Sequence, residues 1–288
     1  MATIKEWVGG ARLRTLAAAI APVIVGTAVA APNYYWLHAS LAFLVALALQ
    51  IGVNYANDYS DGIKGTDTDR VGPMRLVGSG KALPQQVRSA AFFFFGLSAL
   101  LGLILALRTS IWLVLVGALA IAAAWGYTGG KNPYGYRALG EVSVFLFFGL
   151  VAVVGTYYVQ TGEVTTLAFV AAIPVGAQAC AILVLNNLRD RVKDAQVGKR
   201  TLAVMMGENF TRLFFVALVF GSNVMGIAIA INKPWTALTA VLLPLSGYLS
   251  IAVLKGAGGR DLIGLLQRTA LFQMLFALLF AAGFVWSA

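Results

Sequence analysis

Two clusters of carboxylate and amide side chains interrupt an otherwise oily sequence. The first acidic cluster covers residues 57–69 and the second covers residues 187–194. Together they contain six of the eleven acidic residues of the chain, namely Asp58, Asp61, Asp67, Asp69, Asp190 and Asp194. Charge beside apolar segments is costly unless it binds a partner, and clustered oxygen ligands suit a hard divalent cation. The sequence therefore predicts a metal site assembled from two separate segments.

The composition indicates which elements must position these clusters. Of the 288 residues, 60% are hydrophobic and only 11% are charged, and the mean hydropathy of +0.83 is far above that of soluble globular proteins. Nine apolar runs are about long enough to cross roughly 30 Å of hydrocarbon. We therefore predict an all-α polytopic membrane protein, with nine transmembrane helices in one domain over residues 1–288. The predicted spans are roughly 15–31, 38–53, 89–107, 110–127, 141–159, 165–186, 213–231, 235–254 and 264–286.

The basic residues predict how this bundle is oriented. When the loops between nine spans are sorted alternately, 19 of the 21 lysines and arginines fall on one side, and only Arg108 and Lys233 fall on the other. The positive-inside rule then makes the amino terminus, both acidic clusters and the 131–137 loop cytoplasmic, and the carboxyl terminus lies outside the cell membrane. The net charge of +10 becomes a one-faced field that attracts anionic lipid. Nucleic-acid binding is not predicted, because the chain has no soluble basic domain.

The spacing inside the clusters predicts helical backbone. Asn57 and Asp61 are four residues apart, as are Asp190 and Asp194, so each pair shares one face of a helix. We predict that the second and sixth spans continue as helix beyond the membrane and that their ends face each other. The predicted breaks are the glycines at positions 62, 65 and 72 in the first loop and 198 in the second.

Oxygen ligands of this kind suit Mg²⁺, which keeps several waters and takes further ligands from a substrate phosphate. The predicted Mg²⁺ ligands are Asn57, Asp58, Asp61, Asp67, Asp69, Asp190 and Asp194, with Asn54 and Asn187 in support. Basic residues alternate with these acids and could hold the oxygens of a diphosphate that bridges the metal. The predicted diphosphate ligands are Arg70, Arg75, Lys131, Arg137, Lys193 and Lys199. For any one of these cations, the alternative is a solvated loop charge that only sets topology.

These segments resemble the UbiA superfamily of intramembrane prenyltransferases. The stretch Asn57-Asp58-Tyr59-Ser60-Asp61, followed by Asp67, resembles its first Asp-rich motif, and Asp190-Arg191-Val192-Lys193-Asp194 resembles its second. Segments at 11–28, 57–80, 127–141 and 186–207 are similar to the branch that prenylates 1,4-dihydroxy-2-naphthoate. Two positions depart from the family pattern. Gly65 stands where the last Asp of the first motif is usual, and Leu13 stands where Pro is common.

The resemblance implies a UbiA-like bundle and a Mg²⁺-dependent reaction. A polyprenyl diphosphate would ionise in the site, and 1,4-dihydroxy-2-naphthoate would attack the allylic cation, with decarboxylation giving the demethylmenaquinol of menaquinone synthesis. The implied catalytic carboxylates are Asp61, Asp67, Asp190 and Asp194. The acceptor carboxylate needs a cation outside the metal ligands, and the candidates are Arg12, Arg14 and Arg137. The alternative for Arg12 and Arg14 is that they only orient the first span. Tyr127 is predicted to supply an aromatic face.

Three other functions share parts of this pattern. A UbiA-type enzyme with another aromatic or tetrapyrrole acceptor, such as 4-hydroxybenzoate or haem, would share every metal residue. A CDP-alcohol phosphotransferase needs Asp-Gly-x-x-Ala-Arg, whereas Asp61-Gly62 is followed here by Ile63-Lys64-Gly65-Thr66. A secondary transporter would carry charges at mid-span, but these acids lie at span ends.

Overall fold

The computed structural model describes residues 2–12, 15–65 and 74–288, and these residues form a helical bundle. The α-helices are α1 (Ile4–Gly10), α2 (Leu16–Val29), α3 (Trp36–Ile63), α4 (Pro84–Arg108), α5 (Trp112–Gly126), α6 (Gly140–Val144), α7 (Ala152–Thr161), α8 (Thr166–Gln196), α9 (Leu202–Ala228), α10 (Leu243–Leu254) and α11 (Asp261–Trp286). A π-helical segment, Phe145–Val151, joins α6 to α7 in one rod, and 3-10 turns cover Tyr134–Tyr136, Ile229–Ile231 and Pro234–Leu242.

Each of the nine predicted apolar runs falls on a helix. Within the described residues, seven helical segments are long and apolar enough to cross a membrane. The other two predicted spans fall on α2 and α5, which are apolar but only 14 and 15 residues long. The all-helical bundle is therefore confirmed, and the count of nine transmembrane helices stays a prediction.

The predicted continuation of two spans as helix is confirmed. Helix α3 runs for 28 residues and carries the first acidic cluster as far as Ile63, and α8 runs for 31 residues through the whole second cluster. Neither polar end contains proline or glycine before position 62 or 198, so nothing interrupts the backbone hydrogen bonds there. The chain turns away from α8 at Gly198, whose φ of 76° favours glycine.

The core of the bundle lies around α8. In the most apolar stretch of α8, 67% of the residues are buried, against 50% or less in every other candidate span. A ladder of phenylalanines on α11, at positions 272, 276, 280 and 284, contributes four of the largest fully buried side chains. Their spacing of four residues keeps them on one helix face, so they fill the interior continuously.

Close backbone packing brings the π-helical segment against α8. A Cβ added to Gly149 would lie 2.7 Å from the Cα of Gly176, which is closer than real side chains approach. The two helices therefore need glycine at this crossing. This contact fixes the rod that leads into the 127–139 loop against the helix that carries the second acidic cluster.

The outer helices present apolar side chains to their surroundings. Helix α5 buries only Ala124, while Trp112, Leu115 and Leu119 are each more than half exposed. Large apolar side chains exposed in this way are typical of a surface that contacts lipid rather than water.

Candidate functional site

Asp61 lies at the centre of a polar cluster at one end of the bundle. Its side chain is nearly fully buried, and the Tyr136 hydroxyl donates a hydrogen bond of 2.6 Å to its Oδ1. Lys199 Nζ lies 3.2 Å from the same oxygen, and Arg75 Nη2 lies 3.4 Å from Oδ2. A buried carboxylate is stable only when it is paired in this way. The cluster therefore joins the first acidic cluster, the 131–139 loop and the turn after α8.

Tyr136 is the residue that holds these cations together. Lys199 Nζ lies 4.5 Å from its ring centre and Lys64 Nζ lies 4.9 Å from it, so two cations face one ring. Its carbonyl also accepts a hydrogen bond of 3.0 Å from the Arg200 amide. Tyr136 lies in the family-like segment 127–141, but its position in the sequence did not predict these contacts with Asp61 and the two lysines.

Asn57 contacts the loop that follows α5. Thr128 donates from its hydroxyl to Asn57 Oδ1 over 2.7 Å, and Lys64 Nζ donates to the Thr128 carbonyl, also over 2.7 Å. Burial lowers the pKa of Lys64, and the carboxylate of Asp61 opposes that shift. These contacts fix the end of α3 against the 127–131 segment.

Asp58 faces a different direction from its neighbours in the cluster. It is fully buried, and its two oxygens accept hydrogen bonds from the amides of Leu76 (2.7 Å) and Val77 (3.0 Å). Both oxygens are thus used to anchor the segment that presents Arg75. This geometry favours a loop anchor, and the assignment of Asp58 as a metal ligand stays a prediction.

The second acidic cluster is also held by neighbouring charges. Arg189 donates two hydrogen bonds of 2.7 Å to Asp190, from Nε and Nη2 to the two carboxylate oxygens. The amide of Lys199 donates to the Asp194 carbonyl over 2.8 Å. The ammonium group of Lys193 is buried and has no hydrogen-bond partner among the described residues. A buried ammonium group of this kind is available to an anionic ligand.

Glu141 is a buried acid for which the sequence predicted no role in the site. Its side chain is 5% exposed, its Oε1 accepts 2.8 Å from Asn187 Nδ2, and its Oε2 has no hydrogen-bond partner in the described part of the chain. Its backbone carbonyl accepts from the Cys180 thiol over 3.1 Å. The predicted support residue Asn187 is therefore tied to the start of α6. Two signals in the sequence could have identified it: Glu141 is a lone glutamate at the start of an apolar run, and it is the last residue of the family-like segment 127–141.

Tyr127 packs between the loop that follows α5 and the start of α6. The Tyr127 ring meets the Tyr134 ring edge-on, with the ring centres 5.6 Å apart. A Cβ added to Gly140 would lie 3.2 Å from the Tyr127 hydroxyl oxygen, so a glycine leaves room for this side chain.

Asn54 and Arg12, two of the predicted site residues, lie near the segment that leads into α2. Asn54 Nδ2 donates to the Ala11 carbonyl (2.8 Å) and to the Thr15 hydroxyl (3.0 Å), so it fixes the segment that leads into α2. Arg12 has a φ of 53° at the turn between α1 and α2. Four predicted site residues lie outside the described residues, namely Arg14, Asp67, Asp69 and Arg70.

Two predicted diphosphate ligands are not brought into the polar cluster. Lys131 and Arg137 are exposed, and neither forms an ion pair with an acid in the described ranges. Arg137 instead pairs through its backbone with Arg200. Their role at the site stays a prediction.

Hard carboxylate oxygens of the kind that bind Mg²⁺ lie at this end of the bundle. Within residues 2–12, 15–65 and 74–288, no three acidic, histidine or cysteine side chains lie close enough together to hold a metal ion. Asp61, Asp190 and Asp194 provide hard oxygen atoms, and Mg²⁺ completes its shell with waters and substrate phosphate more readily than with protein atoms alone.

Comparison with known proteins gives consistent matches. The UbiA prenyltransferase family model matches residues 19–262. The 1,4-dihydroxy-2-naphthoate octaprenyltransferase of Mycobacterium tuberculosis H37Rv is 49% identical and covers 96% of each chain. The Escherichia coli K12 protein of the same name is 35% identical over 97% of this chain and 94% of its own. Human UbiA prenyltransferase domain-containing protein 1 is 30% identical over 72% of this chain and 62% of its own.

Solved structures share the fold at much lower sequence identity. A UbiA homologue from Archaeoglobus fulgidus, bound to DMAPP and Mg²⁺, has a TM-score of 0.70 at 14% identity and covers 97% of this chain and 98% of its own. An apo UbiA homologue from Aeropyrum pernix K1 has a TM-score of 0.72 at 14% identity, with 93% and 96% covered. At these identities the likeness concerns the arrangement of helices alone.

Proposed function

We propose, because the chain belongs to the UbiA prenyltransferase family, that it transfers a polyprenyl group from a polyprenyl diphosphate to 1,4-dihydroxy-2-naphthoate, with loss of carbon dioxide. The observation that carries this proposal is the set of contacts made by the Asp61 carboxylate. Lys199 connects it to the second acidic cluster, and Tyr136 connects it to the loop between the clusters. The acceptor is supported by the names of relatives at 49% and 35% identity. The chain is thus an aromatic prenyltransferase of menaquinone biosynthesis, and its product is demethylmenaquinol.

Mg²⁺ is the proposed cofactor. Asp61, Asp190 and Asp194 would hold it, and Asn57 with Asp67 or Asp69 would complete the share that the protein contributes. When bound, Mg²⁺ neutralises the diphosphate and stabilises it as a leaving group.

The cations around Asp61 are the proposed ligands of the diphosphate. Lys199 and Arg75 lie within 3.4 Å of Asp61 oxygens, so both are turned toward the site. A diphosphate carries more negative charge than one carboxylate. Lys199 and Arg75 would therefore form stronger hydrogen bonds to its oxygens than to those of Asp61. Their charge then stabilises the departing diphosphate. The remaining proposed ligands are Arg70, Lys131, Arg137 and Lys193.

The proposed reaction breaks two bonds and forms one. The bond between the allylic carbon and the diphosphate oxygen breaks, and its electron pair leaves with the diphosphate. The ring carbon that bears the acceptor carboxylate forms a bond to the allylic carbon. The bond from the ring to the carboxylate then breaks, carbon dioxide leaves, and the aromatic ring is restored. Apolar walls serve this step by excluding the water that would convert the cation to a prenyl alcohol.

The acceptor is proposed to bind beside the amino-terminal turn and the 127–139 loop. Arg12 and Arg14 supply positive charge for its carboxylate. Tyr127, which packs edge-on against Tyr134, is proposed to supply an aromatic face for the acceptor.

The proposed topology follows the positive-inside rule. Nine spans form a single domain over residues 1–288 in a cell membrane, with the amino terminus and the site on the cytoplasmic side and the carboxyl terminus outside. The polyprenyl tail would lie in a groove open to lipid, because an apolar chain of this length is costly to expose to water.

A direct assay tests the proposal. Purified protein is given Mg²⁺, a long prenyl diphosphate and either 1,4-dihydroxy-2-naphthoate or 4-hydroxybenzoate, and the products are identified by mass spectrometry. We expect a decarboxylated prenyl naphthoquinol, and no product in EDTA or with Asp190→Ala. Product from 4-hydroxybenzoate alone would favour the alternative acceptor class. Full activity in EDTA would contradict the metal assignment.

A further inference from the structure

A groove opens where α10 ends and α11 begins, separate from the polar cluster at Asp61. Its volume is about 490 Å³, and no predicted metal, diphosphate or acceptor residue lines it. The walls include Tyr248, Ala252, Ala257, Arg260, Gly264 and Arg268. The groove therefore belongs to two membrane-spanning candidates and the short segment that connects them.

This groove lies at the same end of the bundle as the acidic clusters. Arg191, inside the second cluster, pairs with Glu208 over 3.0 Å, and Glu208 pairs with Arg212 over 2.7 Å. Arg212 Nη1 then donates to the Val253 carbonyl, near the end of α10, over 2.5 Å. These contacts link the end of α10 to the second acidic cluster, so both lie at the same end of the bundle. By the positive-inside rule that end is cytoplasmic.

The walls of the groove carry an excess of positive charge. Arg260 and Arg268 contribute two positive charges and Asp261 one negative charge, so one positive charge remains. Lys255 adds a further exposed cation in the connecting segment. A phosphodiester carries one negative charge and can accept several hydrogen bonds from guanidinium groups.

Arg268 is held in place before it meets any ligand. Its guanidinium lies 5.2 Å from the ring centre of Tyr248 and donates a hydrogen bond to the Tyr248 hydroxyl. A guanidinium has five N–H donors, so several are left for a phosphate. Fixing a long side chain in this way reduces the entropy that binding would otherwise cost.

The two helices that form the groove also expose apolar side chains on the outside of the bundle. Ile251 and Leu254 on α10 are 55% and 47% exposed, and Leu271 on α11 is 55% exposed. Leu271 follows Arg268 by three residues, so on helical backbone it lies on the same face one turn deeper in the bundle. A basic head region above an apolar strip matches the shape of a phospholipid.

We propose that this groove binds the phosphate group of an anionic phospholipid of the cytoplasmic leaflet. Arg260 and Arg268 bind the phosphate, and the acyl chains lie along the exposed residues of α10 and α11. Basic pockets between transmembrane helices on the cytoplasmic side are a known way of holding such headgroups. A free phosphate could use the same arginines but not the apolar strip, so the two sources can be separated by experiment.

Lipid binding can be measured on the whole chain by native mass spectrometry. Delipidated protein in neutral detergent is titrated with phosphatidylglycerol, with phosphatidylcholine and with inorganic phosphate. We expect one phosphatidylglycerol per chain, bound more tightly than phosphatidylcholine. Arg268→Gln should weaken that binding about tenfold. Gly264→Leu should also weaken it, because no atom lies within 4 Å of a Cβ added there, and the larger side chain fills the groove without changing charge.

Arg88→Gln provides the matched control. Arg88 is exposed near the start of α4 and lies 5.6 Å from the Phe92 ring, so it resembles Arg268 in charge and setting but lines no part of this groove. It should bind phosphatidylglycerol as wild type does. The proposal is overturned if Arg268→Gln and Arg88→Gln bind the lipid equally, or if phosphatidylcholine binds as well. Phosphate binding as tightly as the lipid would make this a small-anion site and also overturn it.

Discussion

Lys199 Nζ lies 3.2 Å from Asp61 Oδ1, although 138 residues separate them in the chain. The backbone amide of Lys199 also donates to the Asp194 carbonyl. One residue therefore contacts both acidic clusters. The turn that makes this possible follows α8 directly and includes Gly198 in the left-handed region. Lys199 thus connects the two clusters within the chain itself, through one side-chain contact and one backbone contact.

Asp61→Asn tests whether this carboxylate is the centre of the site. We expect kcat/KM to fall at least about 100-fold, because the variant loses a proposed metal ligand and leaves Lys199 with a neutral partner. The rate of prenyl naphthoquinol formation, measured at equal amounts of membrane-inserted protein, is the readout. Asp261→Asn removes an acid at the same end outside the site, and its turnover should match wild type. Near-normal turnover by Asp61→Asn would remove it from the catalytic set.

Lys199→Gln and Lys131→Gln form a pair that separates the two predicted diphosphate ligands. Lys199 is 12% exposed and paired with Asp61, whereas Lys131 is exposed and forms no ion pair within the described ranges. We expect KM for the prenyl donor to rise about tenfold with Lys199→Gln and much less with Lys131→Gln. KM for the naphthoate should stay nearly unchanged in both.

The opposite order of effects would show that the 131–137 loop closes over the donor. A rise confined to the naphthoate KM would move Lys199 to acceptor binding.

The sequence predicted the helices of the site better than the directions of its side chains. Four-residue spacing and the absence of glycine or proline were enough to predict that α3 and α8 continue through their clusters. Asp58 and Asp61 are three residues apart, so helical periodicity puts both on a similar face. What separates them is the position of the Leu76 and Val77 amides, and that depends on how a distant loop folds.

Long-range partners were the other part that the sequence could not supply. Glu141 and Asn187 are 46 residues apart, and Tyr136 and Asp61 are 75 apart. No periodicity links such pairs, because their contact depends on helix packing such as the crossing at Gly149 and Gly176. The alternation of basic residues with the acids was visible in the sequence, but which lysine approaches which acid was not.

Glu141→Gln and Glu141→Leu test how the second acidic cluster is held. Gln can still accept from Asn187, so we expect nearly normal activity and stability. Leu leaves the partly buried Asn187 amide without its acceptor, which costs about 1 kcal/mol. We therefore expect Glu141→Leu to lower the Tm and kcat together.

Thermal unfolding and turnover of both variants, in the same detergent, provide the comparison. If Glu141→Gln instead abolishes turnover while its Tm stays at the wild-type value, the negative charge itself takes part in the reaction.

Asp58→Ala separates the two roles open to that residue. As a loop anchor, Asp58 accepts hydrogen bonds from the Leu76 and Val77 amides, and losing two bonds to a charged group should cost the segment about 3 kcal/mol. Hydrogen exchange at both amides should then accelerate roughly 100-fold. Because the same segment presents Arg75, KM for the prenyl donor should also rise. A metal ligand predicts a different result, in which exchange at 76–77 stays slow and the Mg²⁺ concentration for half-maximal activity increases. Asp58→Asn keeps one acceptor oxygen, so an anchor role requires it to give an intermediate exchange rate.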